Sequence, residues 1–218
     1  MNYRMIGRIS AKILAVEAVF MIPALLISVG YHEFAAALAF AKAMLCIALA
    51  SAVLYFVGRK SCRGFYAREG LICVGLIWII MSLLGCLPFY FSGEIPHFID
   101  AFFEIVSGFT TTGASILPEV ENLSHGILYW RSFSHWLGGM GVLVFLLAFT
   151  GDKGQGFTMH LLRAESPGPD VGKLVPKMRK TAAILYIIYC ALTVVNILLL
   201  WLGGMPLFEA VCHSFGTA

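Results

Sequence analysis

The feature that most constrains this chain is a series of five apolar stretches, each long enough to cross a membrane. A bilayer core about 30 Å thick needs about 20 apolar residues of helix, because lipid offers no partner to a free backbone N–H or C=O. Of the 218 residues 60% are hydrophobic and 12% charged, a balance that excludes an ordinary soluble domain. We predict an all-α integral membrane protein whose spans are residues 9–30, 34–57, 71–91, 127–149 and 182–202.

The distribution of cations predicts the orientation, because short loops rich in Lys and Arg stay in the cytoplasm. Thirteen of the fifteen Lys and Arg residues precede or open the first span, or lie in the loops after the second and fourth spans. The amino terminus is therefore predicted to be cytoplasmic. The net charge is only +3, with no basic face for nucleic acid. The opposite loops are acidic and expected to gather cations; they carry Glu33, Glu94, Asp100, Glu104, Glu119 and Glu121.

Between the third and fourth spans lies an apolar stretch that is too short to cross the bilayer. Pro96 stands near its start, phenylalanines follow at helical spacing, and Asp100 and Glu104 share another face. Twelve or so helical residues reach about 18 Å, roughly half a bilayer. We predict a re-entrant pore helix that enters and leaves on the outer side. The negative end of its dipole would then point to the membrane centre, where it favours a cation.

A threonine run follows this helix and ends at Gly113. Extended backbone at membrane depth is tolerated where it lines a wet cavity or is buried in protein. Small side chains and a glycine able to adopt positive φ would let successive carbonyls turn towards one axis, as in a filter that replaces the hydration shell of K⁺. The alternative is an ordinary outer loop rich in threonine.

The chain contains a second copy of this unit about 109 residues later. Asp100 and Ala101 correspond to Glu209 and Ala210, and Pro96 corresponds to Pro206 with a shift of one residue. We predict a leading two-helix hairpin, a complete pore repeat of helix, pore helix, filter strand and helix, a cytoplasmic loop, and a second repeat truncated before its filter. Their boundaries are residues 1–69, 70–150, 151–180 and 181–218.

Three motifs then carry a specific resemblance. The stretches DAFFEIVSGFTTTGAS, YWRSFSHWLGGMGVLVF and LLRAESPGP occur in this order. Together they resemble the first repeat and following loop of the Trk/Ktr/HKT superfamily of potassium transporters, most closely the Trk-type membrane subunits. Four such repeats in one polypeptide surround one ion pathway in that family, so the resemblance implies an amino-terminal portion of a longer transporter.

The resemblance implies that K⁺ is the transported ion, bound by main-chain oxygens of Thr110, Thr111, Thr112 and Gly113, with no organic cofactor on this chain. Glycine at position 113 favours potassium selectivity by the same analogy. The coupled ion, whether Na⁺, H⁺ or none, stays open. The family further implies the cytoplasmic membrane of a bacterium, a homodimer, and a cytosolic nucleotide-binding regulatory subunit that would contact residues 151–180.

Two alternatives to potassium uptake stay open for the function. A chain with one filter strand should not conduct alone, so a non-transporting membrane accessory protein or fragment is the alternative to potassium uptake. No Ser-His-Asp triad or paired carboxylates indicate an enzyme. Haem held by two histidines is the enzyme-class alternative, and it lacks a histidine pair at matched depth.

Individual polar and glycine residues inside the spans carry further expectations. Arg131 is expected either to anchor Asp100 or Glu104 of the pore helix or to extend to the lipid headgroups. Glu17 and Lys42 are hypothesised to form an ion pair between the first two spans. We expect the glycines of the fourth span to allow close helix packing; these are Gly138, Gly139 and Gly141.

Overall fold

The computed structural model describes residues 3–59, 67–141 and 175–217. These residues form α-helices, and no strand occurs among them, so the predicted all-α class is confirmed. The helices are α1 Tyr3–Phe20, α2 Ile22–Gly30, α3 Phe34–Gly58, α4 Ala67–Gly85, α5 Leu87–Ser92, α6 Phe98–Phe109, α7 His125–Met140, α8 Val175–Leu202 and α9 Leu207–Thr217.

Four of the five predicted spans are confirmed by helices long and apolar enough to cross a membrane. They comprise 28, 25, 21 and 20 residues: Tyr3–Gly30, Phe34–Gly58, Ile72–Ser92 and Ala183–Leu202. Their outer faces expose large apolar side chains such as Leu45, Leu49 and Leu199, as lipid contact requires. The chain is thus a multi-pass membrane protein.

The fifth predicted span, residues 127–149, is described only in its first part. That part is α7, which has 16 residues and ends at Met140. Gly141 follows with a φ of 73°, in the left-handed region, and so turns the chain out of the helix. Residues 142–174 lie outside the described part of the chain, and so does most of the predicted cytoplasmic loop of residues 151–180.

Two of the spans are broken near proline, which the sequence prediction treated as continuous helices. The first span divides at Met21, with Pro23 in the first turn of α2, and the third divides at Cys86, with Pro88 in the first turn of α5. Proline lacks an N–H and clashes with the carbonyl four residues earlier, so the helical ladder is interrupted there.

Helices α1 and α3 of the first two spans pack against each other. Ser51 of α3 donates a hydrogen bond of 2.7 Å to the Ala11 carbonyl of α1. A Cβ built on Gly58 would lie 2.7 Å from the Arg4 carbonyl oxygen, so only glycine permits this contact. The basic start of α1 and the end of α3 therefore lie at the same end of this helix pair.

The hypothesised ion pair between Glu17 and Lys42 is wrong. Lys42 is exposed on α3, whereas Glu17 is fully buried and neither of its carboxylate oxygens has a hydrogen-bond partner. The hypothesis considered only the depth of the two residues in the membrane. It neglected the rotation of each helix, which directs the lysine outwards and the glutamate into the helix bundle.

Helix α6 lies in the centre of this arrangement. Its residues Ala101, Ile105 and Phe109 are buried in the main hydrophobic cluster, together with Phe40 of α3 and Trp130 of α7. Helix α9 begins at Leu207, one predicted repeat period after the start of α6 at Phe98. The second helix is thus placed where the internal repeat predicts it.

Candidate ion-coordinating site

The site is built on α6, a 12-residue helix whose length suits a half-membrane segment. Pro96 precedes it, His97 supplies an extended cap residue, and Asp100 lies in the first turn, where the helix dipole favours a negative charge. The helix ends at Phe109. Its carboxyl end is therefore directed at the threonine run that follows.

The predicted filter strand begins with a tight turn, which the prediction of an extended segment did not include. Thr111 has a φ of 54° and Gly113 a φ of 72°, both in the left-handed region. A β-branched residue rarely adopts this conformation, which costs about 1–3 kcal/mol and persists where surrounding contacts enforce it. From Thr112 to Ser115 the chain continues without regular hydrogen-bonded structure, and its residues are exposed.

The backbone N–H groups of the turn point back into α6. Thr110, Thr111 and Thr112 each donate a hydrogen bond of 2.9 Å to a carbonyl in the last turns of that helix. Among the described residues, no hydrogen bond is donated to the carbonyls of residues 110–113. The donors of this backbone are thus occupied while its acceptors stay available.

Hydroxyl groups hold the turn against the helix. Ser107 donates a hydrogen bond of 2.6 Å to the carbonyl of Ala114, which closes the loop around the turn. Thr110 donates to the Val106 carbonyl at 2.7 Å and shares a second contact of 2.7 Å with the hydroxyl of Thr112. Ser107 was not among the site residues predicted from the sequence; its position one turn before the threonines was the available signal.

Glu104 is the central support of the loop after the turn. Its side chain is 0% exposed, and Oε1 accepts hydrogen bonds from the Ser115 hydroxyl at 2.7 Å and the Ile116 N–H at 2.6 Å. Oε2 accepts a hydrogen bond of 2.9 Å from Nε of Arg131, whose side chain is 15% exposed. This buried carboxylate is therefore compensated on both oxygens, as a buried ion pair requires.

The structure thus decides among the expectations for Arg131. The guanidinium pairs with Glu104, one of the two pore-helix carboxylates expected to anchor it. Asp100 lies in the first turn of α6 and is half-buried, four residues before the fully buried Glu104. Glu104 is one turn closer to the threonine run, so the ion pair links α7 to the loop that follows the pore helix.

The predicted glycines do not all act alike. A Cβ on Gly138 would meet the backbone of Phe109, with the carbonyl carbon at 2.8 Å, so this glycine lets α7 approach the end of α6. A Cβ on Gly139 would lie 2.6 Å from the Tyr189 hydroxyl of α8. Gly141 ends α7 with a positive φ, a turn that the packing role expected for it did not include.

Some acidic residues of the predicted outer face are already occupied by backbone groups. Glu94 accepts hydrogen bonds from the N–H and the hydroxyl of Ser124, at 2.9 and 2.6 Å. Glu33 accepts a hydrogen bond of 3.0 Å from the His125 N–H and lies 2.7 Å from its Nδ1. Both carboxylates satisfy free donors at the start of α7. They hold this helix in place, which the prediction of a purely cation-gathering face did not foresee.

An open cleft of about 720 Å³ lies between the loop after α6, helix α7 and helix α9. Gly113 reaches it from the loop, Arg131 and His135 from α7, and Glu209 and His213 from α9. Within residues 3–59, 67–141 and 175–217, no three His, Cys, Asp or Glu side chains are grouped as a metal site. The polar groups that the described residues present to the cleft are therefore backbone groups and single polar or charged side chains.

Comparison with known proteins gives one consistent result. Residues 36–218 match the TrkH family, described as cation transport proteins. The Trk system potassium uptake protein TrkH of Salmonella typhimurium is 39% identical over 220 residues, covering 100% of this chain and 45% of that protein. TrkG of Escherichia coli, also a Trk system potassium uptake protein, is 34% identical over 199 residues, covering 90% of this chain and 41% of that protein.

The fold agrees with the same group of proteins. The crystal structure of the potassium transporter TrkH from Vibrio parahaemolyticus superposes with a TM-score of 0.80 at 32% sequence identity. The superposition covers 99% of this chain and 42% of that protein. The chain thus spans less than half the length of these relatives.

Proposed function

Because the chain belongs to the TrkH family of cation transport proteins, we propose that it contributes one coordinating segment to a potassium uptake pathway. In this proposal the main-chain carbonyls of Thr110, Thr111, Thr112 and Gly113 replace water around K⁺. The observation that carries it is the inward hydrogen bonding of the three threonine N–H groups, which leaves the carbonyls of an exposed turn without donors.

The electrostatics of α6 support the same assignment. The carbonyl end of this helix faces the turn, and a helix dipole places about half a negative charge there. Glu104 and Arg131 neutralise each other beneath the loop, so neither side chain adds a net charge to the site. The cation therefore meets neutral oxygens and a dipole, which suits an ion that must be released again.

Rubidium uptake tests this function. We expect a chimera in which this chain replaces the matching segment of a full-length TrkH-family transporter to restore uptake in a potassium-uptake-deficient bacterium, with rubidium preferred over sodium. Replacing Gly113 by Ser should relax that preference, since a side chain at a φ of 72° strains the turn. A Cβ there meets no atom within 4 Å, so the variant should still fold.

The matched control for this variant is Gly93→Ala, which also places a side chain at a positive φ, 79°, with no atom within 4 Å. It lies far from the turn in sequence, between α5 and α6, and should leave ion preference unchanged. Unchanged preference in Gly113→Ser would exclude position 113 from the filter. Absence of any uptake by a correctly inserted product would favour a non-transporting accessory protein.

The proposal places the protein in the cytoplasmic membrane of a bacterium with its amino terminus in the cytoplasm. The basic residues Arg4, Arg8 and Lys12 in α1 support this orientation. Single cysteines introduced at residues 2 and 122 test it. A membrane-impermeant maleimide should label position 122 in intact cells and position 2 only in opened cells, and the reverse pattern would contradict the orientation.

We further propose a homodimer that binds a cytosolic nucleotide-binding regulatory subunit through residues 151–180. The six cations of this loop support a cytosolic contact. Cross-linking in native membranes followed by purification tests both partners. Loss of the regulatory subunit on replacing the six cations, with the dimer retained, would support the assignment; retention of both would contradict it.

A further inference from the structure

Glu17 is a buried acid that the proposed pathway does not use. It lies in the last turn of α1, before the break at Met21, and its side chain is 0% exposed. Neither of its carboxylate oxygens has a hydrogen-bond partner among the described residues. Lys42, the cation expected to pair with it, is exposed on α3. The carboxyl group of Glu17 is therefore buried without a hydrogen bond or a counter-charge from the described residues.

The carboxyl group lies behind the last turn of the pore helix. A Cβ built on Gly85 would lie 2.8 Å from Glu17 Oε1 and 3.2 Å from the side chains of Ile105 and Phe109. Glycine at position 85 thus opens the space that the carboxyl group fills. Three elements meet at this point: the end of α1, the break between α4 and α5, and the carboxyl end of α6.

The charge state of Glu17 follows from these surroundings. An isolated ionised carboxylate in an apolar interior costs so much free energy that the group takes up a proton instead. Of the elements packed against it, the break between α4 and α5 presents the Cys86 thiol, which donates to the Leu83 carbonyl at 3.3 Å, and α6 presents Ile105 and Phe109. No charged group among the described residues compensates an ionised Glu17.

The helix break supplies an acceptor for such a proton. Pro88 has no N–H, so the carbonyl of Leu84, which forms the peptide bond to Gly85, lacks the donor four residues ahead. The other carbonyl at this point, that of Gly85, already accepts a hydrogen bond of 2.9 Å from the indole of Trp130. A hydroxyl donor at Glu17 would complement this break in the ladder.

We propose that Glu17 holds a resident proton and binds, as a neutral carboxylic acid, to a backbone carbonyl freed at the break between α4 and α5. The bond fastens α1 to the break between α4 and α5, next to Ile105 and Phe109 of the pore helix. It differs from the anchor at Glu104, which is equally buried but ionised, since Arg131 and two further donors meet its oxygens.

Infrared spectroscopy of the chain in lipid vesicles, labelled with ¹³C at the side-chain carboxyl of glutamate, tests this proposal. At neutral pH exposed glutamates are ionised. We expect one protonated-carboxyl band that shifts in D₂O and is lost in Glu17→Gln. The matched control, Glu104→Gln, should keep this band and lose intensity from ionised carboxylate.

The proposal is overturned if the wild-type spectrum at neutral pH lacks the protonated band, or if Glu17→Gln retains it. A loss of ionised-carboxylate intensity in Glu17→Gln would likewise overturn it, because it would show a charged Glu17 held by a cation. If Glu17→Gln does not insert into membranes, Glu17→Met, which keeps the volume without the carboxyl group, serves as the second variant and should lose the same band.

Discussion

The two re-entrant helices, α6 and α9, share a scaffold but differ in how they are anchored. Helix α9 begins one repeat period after α6, and each helix buries an alanine at the same repeat position, Ala101 in α6 and Ala210 in α9. Glu104 of α6 is buried against Arg131, whereas the residue at its position in α9, His213, is exposed and lines the cleft. The repeat therefore conserves the helix within this chain but not the chemistry that holds the following loop.

The difference continues along the same two helices. Ser107 of α6 fastens the loop by its bond to Ala114, and Gly216 stands at its repeat position in α9. Ile105 of α6 packs in the hydrophobic cluster, while its counterpart Ser214 is a buried hydroxyl without a hydrogen-bond partner. Internal symmetry thus predicts the path of the backbone. It does not predict which side chains hold that backbone in place.

The largest expected effect on stability comes from replacing Glu104 by histidine, the residue at its repeat position in α9. Glu104→His should lower the free energy of unfolding by about 3–5 kcal/mol, since it leaves Arg131 buried without a counter-charge. The measurement is unfolding of the purified chain in SDS, followed by tryptophan fluorescence.

The reciprocal change, His213→Glu, is the control. It alters an exposed residue and should change the free energy of unfolding by about 0.5 kcal/mol or less. Equal effects of the two exchanges would mean that both helices are anchored alike, contrary to the comparison.

A smaller effect is expected where α7 closes on α6. Gly138→Ala should cost about 1–3 kcal/mol, because the added methyl group would overlap the Phe109 backbone, which cannot move away easily. Gly75→Ala in α4 is the matched control: its Cβ meets no atom within 4 Å, so it should be neutral or stabilise by about 0.4–1 kcal/mol. The same SDS titration compares them, and equal stabilities would show that the approach of α7 is not tight.

Removal of one loop fastening should have a still smaller effect on stability. Ser107→Ala loses the 2.6 Å hydrogen bond to Ala114 and should cost about 1 kcal/mol. Because this bond closes the loop around the threonine turn, rubidium uptake should fall more than the stability loss alone explains. Uptake normalised to the amount of protein in the membrane is the measurement, and an unchanged rate per molecule would separate Ser107 from the site.

The smallest effect is expected at the corresponding part of α9. Ser214→Ala removes a buried hydroxyl that has no partner, so it should change the free energy of unfolding by about 0–1 kcal/mol in the stabilising direction. A clear loss of stability in the SDS titration would show that Ser214 has a partner after all, and the contrast with Ser107 would then fail.

Much of the fold was predictable because the membrane limits the choices so strongly. Apolar length alone located four spans, and the repeat of Asp100-Ala101 located α9. Pro23 and Pro88 were the sequence signal for the two helix breaks. The breaks were missed because the hydropathy of each span is continuously high across the proline. The end of α7 at Gly141 was missed for the same reason, since the apolar run continues beyond it.

The site was less predictable because it depends on side-chain direction. Asp100 and Glu104 are four residues apart on α6, and only the packing against α7 shows which one meets Arg131. Helix depth suggested a pair between Glu17 and Lys42, but the rotation of α1 and α3 separates them. The threonine run was predicted as an extended filter segment, whereas the turn with its positive φ at Thr111 had no signal in a β-branched residue.

The central claim is that carbonyl oxygens of residues 110–113 bind the transported cation. The most direct measurement is an anomalous difference map from crystals of the protein, expressed from its own open reading frame and grown in rubidium. A peak beside these carbonyls, lost on replacing rubidium by sodium, is the predicted result. A rubidium peak elsewhere, with this turn facing lipid or bulk water, would contradict the account.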